Sequence, residues 1–160
     1  MKIGDRNKPA VILLVEDDPG DQELTRRALL DGDVPHQLHV VEDGEEALDY
    51  LFRRGRYVEA ANYPVPELIL LDLNLPKLNG KQVLEQIQND PKLRRIPVVI
   101  LTTSQQEKDI QQCYDSGASS YIVKPVAIDD FMRMVHCIDQ YWFEIVRLSS
   151  LEGSSCPASA

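Results

Sequence analysis

Leu68-Ile69-Leu70-Leu71-Asp72-Leu73-Asn74-Leu75-Pro76 is the stretch on which the reading of this chain turns. An unbroken apolar run of this length, without alternation, suits a strand covered on both faces. The run ends on a carboxylate, and a charge at the end of such a strand is costly unless it is paired or performs chemistry. Two other runs end the same way. Val11-Ile12-Leu13-Leu14-Val15 leads into Glu16-Asp17-Asp18, and Tyr121-Ile122-Val123 leads into Lys124-Pro125. Acids and one lysine at neighbouring strand ends predict a charged cup, and that cup is the candidate active site.

Outward from these runs, short apolar segments alternate with helical patterns. Pro19 suits the opening of a helix, and Leu24, Ala28 and Leu29 give it an apolar stripe that ends at Asp31-Gly32. His39-Val40-Val41 reads as a weaker strand. A helix from about Gly44 carries Ala47, Leu48, Leu51 and Phe52 at helical spacing. A connector over Arg53 to Glu67 holds Pro64 and Pro66. Asn79-Gly80 marks the next helix, with Val83, Leu84 and Ile87 inward, ending at Asp90-Pro91. Pro97 to Leu101 reads as the fourth strand and enters Thr102-Thr103-Ser104. A polar helix is expected from about Gln105 to Ser116, stopped by Gly117. Ser120 to Val123 is the fifth strand, and a final helix runs from near Ile128 to about Leu148. Strands that alternate with helices imply an α/β fold, a parallel sheet with helices on both faces. Such sheets bind ligands beyond the carboxyl ends of their strands, where strand order reverses. Glu16, Asp17, Asp72, Thr102 and Lys124 all fall at those ends.

Composition narrows the function. The chain has 160 residues, which fits one domain. The expected division is an N-terminal segment over 1–9, a folded domain over 10–148 and a flexible tail over 149–160, rich in Ser, Gly, Ala and Pro. The net charge of −9 offers nucleic acid no electrostatic footprint. The cysteines, Cys113, Cys137 and Cys156, are widely spaced and odd in number, so reduced thiols and a cytoplasmic location are expected. No signal-like segment opens the chain, and no apolar run approaches the length that spans a bilayer.

Glu16, Asp17 and Asp72 would bring like charges together, each pair repelling by roughly 4 kcal/mol at ~4 Å and an effective dielectric of ~20. Lys124 cancels one charge. A divalent cation would cancel the rest, and a set of hard oxygens points to Mg²⁺, or Mn²⁺ in its place, over zinc. Asp72 can then act as a nucleophile toward a phosphoryl group, with Lys124 and the Thr102 hydroxyl on the phosphoryl oxygens. Read singly, each residue has a plainer role. A strand-end Asp is commonly a cap, acids before Pro19 favour a helix N-terminus, and Tyr121 reads as core. Their convergence on one edge is what favours chemistry.

The same motifs resemble the response regulator receiver domain: Val-Glu-Asp-Asp over Val15 to Asp18, Leu-Asp-Leu-Asn-Leu-Pro over Leu71 to Pro76, Gly80, Leu-Thr-Thr-Ser over Leu101 to Ser104, and Tyr-Ile-Val-Lys-Pro over Tyr121 to Pro125. The resemblance covers about Val11 to Leu148. It implies a flavodoxin-like, doubly wound five-stranded sheet of order 2-1-3-4-5. It further implies that Asp72 accepts a phosphoryl group from a histidine kinase, and that Glu16, Asp17, Asp72 and the Asn74 carbonyl hold the cation. Lys124 and Thr102 would bind the acyl phosphate, and Tyr121 would be a rotameric switch beside Thr102. The Leu-Phe-Arg-Arg-Gly connector and the aromatic final helix are similar to the small regulators that partner bacterial phytochromes. A phytochrome kinase is therefore the expected donor, and a signalling protein, not an enzyme with a separate substrate, is expected.

No output domain is expected after the final helix, so regulation is expected to pass through the surface of helix 4, strand 5 and helix 5. That last helix exceeds the sheet: twenty residues span ~30 Å against ~17 Å for a five-residue strand. Tyr141, Trp142, Phe143, Ile145 and Val146 would overhang, and an aromatic overhang suits a homodimer or partner surface. Two rivals stand beside this reading. An aspartate-nucleophile phosphatase would need a second acid two residues on, where Asn74 stands. A phosphate-independent interaction module would not need Asp17, Asp72, Thr102 and Lys124 together.

Overall fold

The computed structural model describes residues 9–31, 35–59, 61–138 and 140. The expected overhang residues Tyr141, Trp142, Phe143, Ile145 and Val146, the end of the last helix and the 149–160 tail lie outside the described residues, as does nearly all of the 1–9 segment.

The strands are β1 (Ala10–Val15), β2 (His36–Val41), β3 (Leu68–Leu71), β4 (Val98–Thr102) and β5 (Ser120–Val123). They form one sheet in the order β2-β1-β3-β4-β5, and every pairing is parallel. The helices are α1 (Pro19–Leu30), α2 (Gly44–Phe52), α3 (Gly80–Gln88) and α4 (Glu107–Asp115), followed by α5 over 128–138. This is the flavodoxin-like order. Leu13, Val15, Ile69, Leu71, Val98 and Ile100 point to one face, where they pack on α2, α3 and Cys113 of α4. Ile12, Leu14, Leu68, Leu70 and Val99 point to the other, against Ala28 and Leu29 of α1 and Phe131, Val135 and Ile138 of α5. β1 and β3 are therefore apolar at every position, and β4 at every position before Thr102, as double-sided burial requires.

Local chemistry sets the helix starts. The Asp18 carboxylate caps α1 by accepting from the Asp21 N–H at 2.9 Å, with Pro19 following. Asp43 caps α2, and Asn79 with Gln82 forms a reciprocal capping box on α3. α3 begins hard against the end of β3. A Cβ on Gly80 would lie 2.3 Å from the Asp72 carbonyl oxygen, so the turn that follows Asp72 closes only around glycine.

Two expectations are corrected. β2 begins at His36, three residues before the expected His39, and pairs with β1 along its whole length. As an edge strand it is half-exposed, so Gln37 and His39 break the apolar run without breaking the ladder. The polar helix is shorter than expected, Glu107–Asp115 rather than 105–116. The connector before β3 is also more ordered than its prolines imply. A 3₁₀ turn over Gly55–Tyr57 brings Tyr57 and Tyr63 to within 4.8 Å, centroid to centroid. Both rings meet Tyr50 of α2, whose hydroxyl donates to the Pro64 carbonyl at 2.8 Å. Burial pushes the Tyr50 and Tyr57 phenols up to about 12.

Candidate functional site

The sheet order reverses between β1 and β3, because β1 pairs with β2 on one side and β3 on the other. Glu16 and Asp17 follow β1 and Asp72 follows β3, so the acids meet at that reversal. Backbone rungs hold the strand ends together: Asp72 N–H donates to the Val15 carbonyl at 3.1 Å, and Lys124 N–H to the Thr102 carbonyl at 2.7 Å.

One carboxylate oxygen from each of Glu16, Asp17 and Asp72 lies within 4.8 Å of the others. Glu16 and Asp72 are buried and Asp17 is exposed, so the cluster opens to solvent on one side. Such a set of hard oxygens, two of them fixed and one free to adjust, fits a divalent cation that keeps part of its water. The Asn74 backbone N–H donates to Asp72 Oδ1 at 3.2 Å, which orients the acceptor carboxylate. Lys124 Nζ donates to Glu16 at 2.5 Å, to Asp21 at 2.8 Å and to Asp72 at 3.3 Å. Burial raises the Glu16 carboxyl to about 7, against the pull of Lys124. Burial alone would lower the Lys124 ammonium. The carboxylates of Asp21 and Glu16 outweigh that loss and raise it above its ordinary value.

Thr102 is fully buried at the end of β4, and its hydroxyl accepts a long bond from the Ser104 N–H at 3.4 Å. Tyr121, one strand over, does not join the acids. Its hydroxyl donates to the Ser104 carbonyl at 2.9 Å. Ser104 also donates through its own hydroxyl to Asp109 on α4, which Lys81 of α3 holds from its other oxygen. The Lys81 and Ser104 bonds keep the Asp109 carboxyl below the usual range.

The structure thus brings Glu16, Asp17, Asp72, Asn74, Thr102 and Lys124 to one edge, and ties Tyr121 to the loop that follows Thr102. Sequence reasoning missed Asp21. Its signal was an acid three residues beyond the Asp18 cap, in the helix turn that leaves the acidic strand end. It also missed Lys81 and Asp109, whose pairing joins two helices 28 residues apart in sequence and leaves no local pattern.

Comparison with known proteins identifies the family. The model of the response regulator receiver domain family matches residues 12–136. Response regulator Rcp1 of Synechocystis sp. is 43% identical over 142 residues, covering 89% of this chain and 95% of that protein. The probable methanogenesis regulatory protein FilR2 of Methanothrix harundinacea is 40% identical over 134 residues, 84% of each chain. Among solved structures, the phosphorylated cyanobacterial phytochrome response regulator RcpA is 41% identical with a TM-score of 0.80, covering 94% of this chain and 100% of that one. The Mn²⁺-bound form of Rcp1 has the same identity and coverage and a TM-score of 0.79. A family model that matches residues 12–136, with relatives at 40% identity or more over most of their length, places this protein in the response regulator receiver domain family.

Proposed function

We propose that this receiver is a phosphoacceptor switch in which Asp72 takes a phosphoryl group from a histidine kinase. One observation carries the reading: Asp72 sits 8% exposed at the end of an apolar strand, inside a cluster of acids that shares one lysine. In the transfer, an Asp72 carboxylate oxygen attacks phosphorus, the P–N bond of the phosphohistidine breaks, and its electron pair remains on the imidazole nitrogen. Lys124 turns toward a phosphoryl oxygen, and the buried Thr102 hydroxyl at the end of β4 donates to another. Glu16, Asp17, Asp72 and the Asn74 carbonyl would hold Mg²⁺, or Mn²⁺ in its place. The ion supplies the positive charge that a phosphoryl group needs beside three carboxylates.

Phosphorylation is read out as a population shift. Drawing Thr102 toward the phosphoryl group strains the Ser104 loop, which Tyr121 and Asp109 hold. The surface of α4, β5 and α5 then changes. The similarity to RcpA, a cyanobacterial phytochrome response regulator, supports a phytochrome kinase as donor. Among the described residues no helix is long and apolar enough to cross a membrane, and a cytoplasmic site of action, without nucleic acid or membrane as direct partners, belongs to the same proposal. So does a homodimer through Tyr141, Trp142, Phe143, Ile145 and Val146.

Acetyl phosphate with Mg²⁺, resolved on a phosphate-affinity gel, tests the acceptor. A shifted band is expected for the wild type and none for Asp72→Asn; a shift that survives the substitution overturns the proposal. Transfer from a panel of purified kinases tests the donor, and no preference for phytochrome kinases removes that part. Light scattering of Trp142→Ala/Phe143→Ala tests the dimer, which an unchanged mass excludes from these residues.

A further inference from the structure

Lys124 faces three carboxylates, and one of them belongs to no strand end. Asp21 lies in the first turn of α1, and its Oδ2 accepts from Lys124 Nζ at 2.8 Å, against 3.3 Å from Nζ to Asp72. Its position is fastened from both sides. The Asp21 N–H donates to the Asp18 carboxylate at 2.9 Å, and the Asp21 carbonyl accepts from the Thr25 hydroxyl at 2.8 Å. Thr25 is itself 1% exposed. The fold of α1, not chance on a surface, aims this carboxylate at the lysine.

An ammonium has three protons to donate. Glu16 takes one at 2.5 Å and Asp21 another at 2.8 Å. Asp72 is left with a bond of 3.3 Å, longer than the about 2.7–2.9 Å of a good charge-assisted pair. Glu16 belongs to the oxygen set that fits a cation, whereas Asp21 does not. Asp21 therefore remains a partner of Lys124 alone. The lysine is anchored to it across the fold, from the β5 end to α1.

We propose that Asp21 is a positioning residue that holds the Lys124 ammonium back from Asp72 and so limits how tightly Lys124 clamps an anionic group bound there. The inference rests on the phosphoacceptor reading above. It extends that reading by making α1, through a single carboxylate, a determinant of how strongly the phosphorylated form is favoured.

The test uses beryllium fluoride, whose beryllium bonds to an aspartate oxygen and presents fluorines where phosphoryl oxygens would lie. The full chain, labelled with ¹⁵N, is titrated in excess Mg²⁺ and followed by amide NMR. Asp21→Asn is near in shape and is expected to bind the probe about twofold to fivefold more tightly, the scale of one partly exposed charge pair. Asp18→Asn is the control. It removes the same charge in the same turn, keeps a good cap, and does not touch Lys124. It is expected to gain less than half as much. Asp21→Glu, which restores the charge, is expected to bind as the wild type does. Equal or weaker binding by Asp21→Asn overturns the inference, as does an equal gain from Asp18→Asn. If the wild type itself fails to bind the probe, the phosphoacceptor reading falls first and takes this inference with it.

Discussion

Gly80→Ala is expected to destabilise the domain although alanine is the better helix former. A Cβ at this position lies 2.3 Å from the Asp72 carbonyl oxygen and 2.6 Å from Leu73 Cα. Ordinary C···O approaches stop at about 3.3 Å, so one backbone or the other must retreat by about 1 Å. Neither retreats freely, because the Gly80 N–H donates to the Leu73 carbonyl at 2.9 Å and Asp72 is tied to β1 at 3.1 Å. Alanine gains up to about 1 kcal/mol of helix propensity, whereas overpacking costs about 1–3 kcal/mol and sits at the upper end when both neighbours are backbone. The net is a loss of about 2 kcal/mol, which at this chain length lowers Tm by about 4–8 °C. Urea and thermal unfolding measure it. Gly20→Ala is the milder case: its nearest neighbour is the Asp18 Oδ2 at 3.3 Å, the atom that caps α1, so a small shift of the cap offsets most of the about 0.5–1 kcal/mol propensity gain and a change within about 0.5 kcal/mol is expected. A Gly80→Ala protein as stable as the wild type would refute the argument that this close approach shapes the turn after Asp72.

Lys124→Met leaves buried Glu16 and Asp72 without the cation they share. A loss of about 3 kcal/mol is expected from urea unfolding, recovered in part by millimolar Mg²⁺; a variant as stable as the wild type contradicts the pairing. Adding Mg²⁺ to the wild type at about a hundred times its Kd should stabilise by about 2.7 kcal/mol, and Asp17→Asn should remove most of that gain in a thermal-shift titration. Tyr50→Phe deletes the hydroxyl that holds the Pro64 carbonyl and should cost about 1 kcal/mol, with faster hydrogen exchange in the connector before β3. The Asp109 carboxyl is held low by Lys81 and Ser104. Its stabilisation is thus present above the unfolded carboxylate value and lost as pH falls through the folded one. Asp109→Asn should flatten the dependence of stability on pH below about 4.

The sheet was legible because β1, β3 and β4 carry long apolar runs, and the site because the runs of β1, β3 and β5 lead into a charge and that of β4 into the Thr102 hydroxyl. Asp72, Asp17, Glu16, Thr102 and Lys124 were found by their place at strand ends, a property local in sequence. What escaped is non-local. Asp21 matters because the Lys124 side chain, beyond the end of β5, reaches it from 103 residues away. The aromatic cluster of Tyr50, Tyr57 and Tyr63 orders a connector whose prolines and polar residues read as a plain loop. The start of β2 was misjudged because an edge strand needs apolar residues on fewer positions than a central one.

A sheet that is apolar on both faces has little to fix its own alignment, since sliding β3 by one residue past β1 exchanges one leucine for another. The pairing of Val15 with Leu71 places the next residues, Glu16 and Asp72, side by side just beyond the ladder. A slip of one position would carry a carboxylate inward, where an uncompensated charge costs far more than any mismatch of leucines. The acidic edge is therefore also the ruler by which the strands find their register. Loss of Asp72 for an apolar residue should be felt in the fidelity of folding as well as in signalling.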